Sequence, residues 1–509
     1  MSKILQPIST VPHVAQKNVP VANSDTDSDT NNGIAPAIAT GTALPTTATA
    51  TTAPHQSSKV LSNTSVFLLL TGLLLLCYLP VVIGTYGCAD DFLWVAGALQ
   101  HNMQRMQVLQ IVQGRPAMAV LFTLGFSAMS GVGDLRFLRL FSIITVACLA
   151  FGIYRTLIAA KHNRPAAFFV ALAMCMMPPF QVYVSWASTA FYATGALVAG
   201  IALHLADRGY AQTRAVPKYK LATGSILLLL AALLIFQPSA MFYWVFAAIL
   251  LLKPNATFSG SWRRFVWYGA LCVVALGLAF GICHLGTALF GSLCPLPHRR
   301  THLCTDLWAK CVWFFTQPLT ACLNFESLFP KPRPAMAVAA VIAAGLMLYT
   351  KGKIGNRVLL FLLALSIIPL SYLPNLVIEE SWASYRTMCA LGSLIVLYAF
   401  LALLGLRQTL FRSVREPFFT ALMGSMAIAA MSLAFNNIWI YFVVPNSLEY
   451  AMLKGQLNKE THSKLTFHQV ALKDPKLLVP GMSQEFGCPS SILPFTQEPM
   501  EYILRHTAP

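Results

Sequence analysis

Charged side chains are scarce in this sequence. Only 10% of its 509 residues are Asp, Glu, Lys or Arg, against roughly 25% in a soluble domain. A surface so poor in charge excludes a cytosolic enzyme. Acids are scarcer still, 18 against 35 Lys and Arg, which leaves a formal charge of +17. Taken alone, that excess would suggest nucleic-acid binding. In a polytopic protein, however, Lys and Arg gather in cytoplasmic loops for topological reasons, so the charge is assigned to topology and no nucleic-acid partner is expected. Twelve cysteines in a chain of this length are too few for a secreted disulfide scaffold. The start of the chain also lacks a basic stretch leading directly into a short apolar one, the pattern of a secretory signal. Residues 1–60 hold no apolar run long enough to insert, are rich in Thr, Ala, Ser, Pro and Asn, and carry an acidic patch at Asp25, Asp27 and Asp29. They are expected to form an uncleaved, disordered cytoplasmic tail.

What the sequence has in quantity is apolar residues, 56% of the chain, in runs that recur from Leu61 to Val444. A spanning helix takes about 20 mainly apolar residues. On that measure about eleven candidates emerge: 61–83, 135–155, 165–179, 182–206, 221–236, 238–252, 265–290, 334–350, 358–376, 387–406 and 418–444. Two neighbouring pairs are separated only by Pro-containing turns, Met177-Pro178-Pro179 and Gln237-Pro238, and could instead be kinked or re-entrant elements. The expected fold is an all-α polytopic membrane protein.

Cations fall on alternate loops. Arg155, Lys161 and Arg164, then Arg208, Arg214, Lys218 and Lys220, then Lys253, Arg263 and Arg264, then Lys351, Lys353 and Arg357, then Arg407, Arg412 and Arg415 mark one side as cytoplasmic. The apolar stretch Pro116–Ser130 is short for a crossing, and counting it would invert this parity. It is assigned to a juxtamembrane or re-entrant helix. The outer side then holds a long first loop, 84–134, a second at 291–333 and a small C-terminal segment, 445–509, with a module of spanning helices over 61–444. In the C-terminal segment Tyr450, Leu457, Phe467, Val470 and Leu477 are expected to pack as a small outer subdomain.

Most carboxylates of the membrane region fall on that outer side. Asp90 and Asp91 follow the first span within Gly84-Thr-Tyr-Gly-Cys-Ala-Asp-Asp-Phe-Leu-Trp94. Ionisable groups near a bilayer are costly and usually functional. Adjacent acids in a partly desolvated site repel, which raises the proton affinity of one and suits it to general-base work. The same pair could hold a divalent cation or cap a helix. Further along the loop stands Gln113-Gly114-Arg115-Pro116. Its arginine is either a planar fork for phosphate oxygens or an interfacial anchor, and its proline fits the first turn of a helix.

A first span, an outer loop with an Asp-Asp pair beside an aromatic residue, and Gly-Arg-Pro opening an apolar helix together resemble the polytopic C-type glycosyltransferases (GT-C). The likeness is greatest to their bacterial O-antigen glucosyltransferase branch. It is carried by residues 61–140 and continues as hydropathy alone to about residue 444. The resemblance implies a helical module in the bacterial inner membrane with its active site facing the periplasm. Such an enzyme moves a sugar, glucose among the candidates, from a polyprenyl-phosphate carrier to an acceptor glycan such as O-antigen or lipopolysaccharide, with inversion. It would make Asp90 or Asp91 the base and place Arg115 near the carrier phosphate. From charge and side alone, Arg386 joins Arg115, and Glu379 and Glu380 are further candidates. A cytosolic nucleotide-sugar enzyme would need a Rossmann-like domain, and none is written here.

Two other functions stay open: a transporter or flippase for a lipid-linked saccharide, and a polysaccharide polymerase or ligase relying on Arg299 and Arg300. The second loop carries Cys294, His298, His302 and Cys304. A Cys294–Cys304 disulfide, free thiols and a metal site are the alternatives there. Leu307, Trp308, Trp313, Phe314 and Phe315 read as an amphipathic interfacial helix. Trp186, Tyr192, Tyr243, Trp244 and Trp267 are either sugar platforms or, by default, members of aromatic belts at the interface.

Overall fold

A computed structural model describes residues 62–294, 302–325, 332–410, 413, 415–459, 485 and 497–507. The tail with Asp25, Asp27 and Asp29, the motif residues His298, Arg299 and Arg300, and Phe467, Val470 and Leu477 lie outside the described residues, as does the side chain of Leu457.

The chain folds into helices, and local chemistry sets many of their starts. α1 (Asn63–Ile83) begins where Ser62 accepts the Ser65 N–H at 3.0 Å. Three short helices fill the first loop: α2 (Asp90–Leu99), α3 (Gln104–Val112) and α4 (Pro116–Phe126). Proline opens α4, where its missing N–H costs nothing. α5 (Leu135–Ala159) returns, and α6 (Arg164–Met174), capped by Asn163, meets α7 (Pro178–Ser185) at a bend of 59°. α8 (Tyr192–Ala211) and α9 (Ala215–Ile235) follow as a packed pair, then short α10 (Gln237–Ala240) and α11 (Phe242–Leu251). α12 (Phe258–Phe290) is 33 residues long, and α13 (Leu307–Thr316) and α14 (Pro318–Leu323) lie after it. α15 (Pro332–Tyr349), α16 (Ile354–Leu370), α17 (Leu373–Val377) and α18 (Tyr385–Thr409) lead to α19 (Glu416–Ile438), α20 (Val444–Lys459) and α21 (Gln497–Thr507).

Among the described residues, seven helical stretches are long and apolar enough to cross a membrane: 63–83, 132–159, 187–211, 215–235, 258–290, 385–409 and 416–456. The bent pair α6–α7 makes an eighth if it is one broken span. Of the eleven apolar stretches, 238–252, 334–350 and 358–376 form shorter helices of 10–17 residues, and 165–179 stops at Met174. Residues 182–185 belong to α7 rather than to the span that follows. The expected end at 444 is also corrected. Pro445 would crowd the carbonyl four residues earlier in an α-helix, but Trp439–Val443 forms a π turn that loosens this stretch, and the helix runs on.

Burial separates central from peripheral helices. In its apolar window α18 is 72% buried and the 187–211 stretch 67%, whereas α12 is only 22% buried, so most of α12's apolar side chains face outward, where lipid would cover them. Small residues allow the closest crossing. A Cβ at Gly405 of α18 would overlap the Gly345 carbonyl and the Tyr349 backbone of α15, the close approach that small residues permit between spanning helices.

The two ends of the bundle differ chemically. In the cation-rich loops, the acids Asp207 and Glu416, among the described residues, are paired with cations of the same loops: Asp207 with Arg264 at 3.6 Å, and Glu416 with Arg407. The loops poor in cations meet elsewhere, around a large cavity.

Candidate functional site

The cavity has a volume of about 1360 Å³. Its walls come from the 84–134 loop, the turn after α7, the α9–α10 junction, α12, residues 302–303, the loop 373–387, the π turn and Glu485. The 84–134 loop, Pro238, residues 302–303, the 375–386 loop and Glu485 are ones that the cation pattern placed on one side, whereas Trp186, Ser188, α12 and the π turn were read as parts of spans.

The two adjacent aspartates part company here. Asp90 lines the cavity, and Asp91 does not. Asp91 is fully buried, and its oxygens accept the N–H groups of Ser188 at 2.7 Å, Cys88 at 3.0 Å and Ala187 at 3.4 Å. The bond to Cys88 reaches back three residues, as the carboxylate of a capping box does. Burial pushes the Asp91 carboxyl above the usual carboxylate range, against the pull of Arg139 and of its N–H donors from Ser188 and Cys88. Asp91 thus ties the start of α2 to the 187–189 turn and leaves Asp90 exposed to the cavity at the first residue of the helix. The residue before it, Ala89, has φ of 40°, a left-handed value costly for a side chain with a Cβ. The Asp91 bonds on either side hold it there. With both Asp91 oxygens turned to N–H groups, the pair does not offer a joint cation site. Among the described residues no three His, Cys, Asp or Glu side chains converge as a metal would need.

Arg115 also lines the cavity. Gly114 before it has φ of 73°, and a Cβ there would come within 2.9 Å of Cys283 Sγ, so glycine is required twice over. Gln237 orients the arginine: its Oε1 accepts from Arg115 Nε at 3.2 Å, and its Nε2 donates to the Gly114 carbonyl at 3.0 Å. The guanidinium lies 4.8 Å from the centre of the Phe236 ring.

Arg386, at the start of α18, lines the same cavity. It pairs with buried Glu485 through Nε, and its backbone N–H donates to the other carboxylate oxygen at 3.2 Å. Its guanidinium lies 5.1 Å from the Trp186 ring centre, and Asp90 acts on it electrostatically. Glu380 lines the cavity and Glu379 does not. The Glu380 carbonyl accepts from Lys310 Nζ at 2.8 Å, and burial pushes the Lys310 amine below its ordinary value.

The second loop contributes by pairing backbone with the 377–379 strip: Cys304 N–H donates to the Val377 carbonyl at 2.8 Å, and Glu379 N–H to that of His302 at 3.0 Å. Of the alternatives for Cys294 and Cys304, the structure has the thiols: neither is bridged. α13 is amphipathic as expected, with Trp313 and Phe314 buried and Leu307, Trp308 and Phe315 exposed.

Several cavity residues escaped the sequence reading. Trp186 and Tyr192 line the wall rather than a belt, whereas Tyr243 and Trp244 are core. Gln237 was read only as part of a break. Outside the cavity wall, Arg139 is a buried cation at the start of α5. It donates to the carbonyls of Val81, Gly84 and Tyr86 and lies over the Tyr86 ring, which closes the end of α1 beneath Asp91. Glu485 had no signal at all, lying in a polar stretch far along the chain.

The chemistry gathered is the carboxylates of Asp90 and Glu380, the guanidinium of Arg115, the Arg386–Glu485 pair and an apolar wall from α12. Neither a protein-family model nor a curated protein matches the chain.

Proposed function

We propose that the chain is an integral-membrane glycosyltransferase of the GT-C type, which moves a sugar from a polyprenyl-phosphate donor to an acceptor glycan such as O-antigen or lipopolysaccharide on the periplasmic face of a bacterial inner membrane. One observation carries this reading: Asp90, Arg115 and Arg386 line a single cavity, at the end of the bundle where cations are few, beside an apolar wall. Along that wall Val273 and Phe280 of α12 are 69% and 47% exposed, a surface suited to an isoprenoid chain.

In the proposed reaction, Asp90 accepts the proton of an acceptor hydroxyl as its oxygen attacks the anomeric carbon from the face opposite the phosphate. The anomeric C–O bond to phosphate breaks, and the electron pair leaves with the phosphate. Arg115 and Arg386 stabilise the charge that develops there. Displacement from the opposite face inverts the anomeric centre. Eleven crossings fit this reading when α6–α7 and the short helices 237–251, 334–349 and 354–370 are counted with the seven longer ones. A 17-residue helix rises about 25 Å and crosses with local thinning of the bilayer.

The experiment is transfer of lipid-linked sugar in proteoliposomes. Asp90→Asn is expected to lose transfer while retaining donor binding. Wild-type transfer by Asp90→Asn would sink the proposal, and donor flipping untouched by the substitution would put a flippase in its place.

A further inference from the structure

A phenol carries its hydroxyl at the end of a rigid ring, so whatever fixes the ring also aims the hydroxyl. Tyr192, the first residue of α8, lines the cavity. Its ring is held from two sides: it stacks on Phe236 with centroids 3.8 Å apart and planes 6° apart, and it meets Tyr183 edge-on at 5.5 Å. The hydroxyl has no hydrogen-bond partner among the described residues, yet it is not one of the polar atoms enclosed without a partner. The small accessible part of this otherwise buried residue therefore includes the hydroxyl, and the space beside it is the cavity.

The surroundings of that hydroxyl are cationic. The Arg115 guanidinium lies 4.8 Å from the centre of the Phe236 ring on which Tyr192 stacks, and Tyr192 acts electrostatically on Arg386. The start of α8 adds the partial positive charge of its N–H groups. Neither arginine gives its whole fork to the cavity: Gln237 holds Nε of Arg115, and Glu485 holds Nε of Arg386 and offsets its charge. An anion resting there gains from a further donor, and a phenol O–H beside cations meets an anion better than it meets an apolar chain. We propose that the Tyr192 hydroxyl donates a hydrogen bond to the phosphate of the polyprenyl-phosphate donor, as a third phosphate-binding group beside Arg115 and Arg386. The phenol keeps its proton, and no covalent bond forms or breaks at it. This deepens the glycosyltransferase reading and rests on it.

The test measures binding of polyprenyl phosphate, and of the uncharged polyprenol, to the full chain in nanodiscs. Tyr192→Phe removes only the hydroxyl and keeps the ring against Phe236. Wild type is expected to bind the phosphate more tightly than the alcohol. Tyr192→Phe should bind the phosphate about 10- to 100-fold more weakly, the effect of one hydrogen bond to a charged group, with polyprenol affinity unchanged as the control for folding. Wild-type phosphate affinity in the variant, or a loss shared equally by polyprenol, would overturn the role of Tyr192 and leave the function standing. If wild type does not distinguish phosphate from alcohol, the donor class fails and the role of Tyr192 falls with it.

Discussion

Asp90 and Asp91 are chemically identical neighbours, yet replacing each with asparagine should produce opposite phenotypes. At Asp91 both oxygens accept backbone N–H groups in a site closed to water. Asparagine keeps one acceptor oxygen and turns an NH2 group toward a former donor. If the nitrogen replaces Oδ1, the Ser188 bond at 2.7 Å is lost; if it replaces Oδ2, the bonds to Cys88 and Ala187 are lost. A hydrogen bond to a charged group contributes roughly 1.5–3 kcal/mol. The neutral amide escapes the desolvation that raises the Asp91 carboxyl, which offsets part of this. The net cost should be about 2 kcal/mol, seen as an apparent Tm lower by a few degrees. Transfer should fall with it, because Ala89 and Asp90 lose their anchor.

Asp90 enters none of these bonds and faces the cavity. Asp90→Asn should therefore melt within about 0.5 kcal/mol of wild type, while transfer falls roughly 10²- to 10⁴-fold, the usual share of a general base. Thermal unfolding by intrinsic fluorescence and transfer in proteoliposomes, run on the same preparations, separate the two. A destabilised Asp90→Asn beside a fully stable Asp91→Asn would refute the division of labour.

Other perturbations follow from the same contacts. Asp91 holds its proton to a higher pH in the folded chain than its ordinary value of 3.8. Between those two values the native state keeps a proton that the unfolded chain has released, so stability should fall as pH rises through that window; Asp91→Asn should flatten the slope of apparent Tm against pH. Gln237→Ala removes the group that orients Arg115, so it should raise the KM for the donor as Arg115→Ala does, and the double variant should be little worse than either alone; additive effects in this cycle would disprove the coupling. Gly405→Val forces a side chain onto the α15 backbone and should destabilise by at least about 1–3 kcal/mol, measured as a fall in apparent Tm; a Tm equal to wild type would contradict the close crossing.

Helix positions were legible in the sequence because long apolar runs report spans directly, but helix ends were not. α12 starts at Phe258, before the apolar run expected from 265, because Trp262, Arg263 and Arg264 continue the helix with long side chains that can reach the interface. The stop expected at 444 failed for the converse reason: a proline ends an α-helix only where the preceding turn keeps α geometry, and here it is π. Both errors come from reading composition as if each residue type carried one backbone meaning.

The site divides along the same line. Gly114-Arg115-Pro116 was legible because its needs are local: a positive φ, then a helix start. Which aspartate faces the cavity was not, because the answer lies with Ala187 and Ser188, almost a hundred residues away in sequence. Glu485 is as remote from the Arg386 it pairs. Short motifs can therefore name the loop that carries the acid, but the acid's role is set by which neighbour the fold supplies with N–H donors. Asp91 receives three, and that is why Asp90 is the one left facing the cavity.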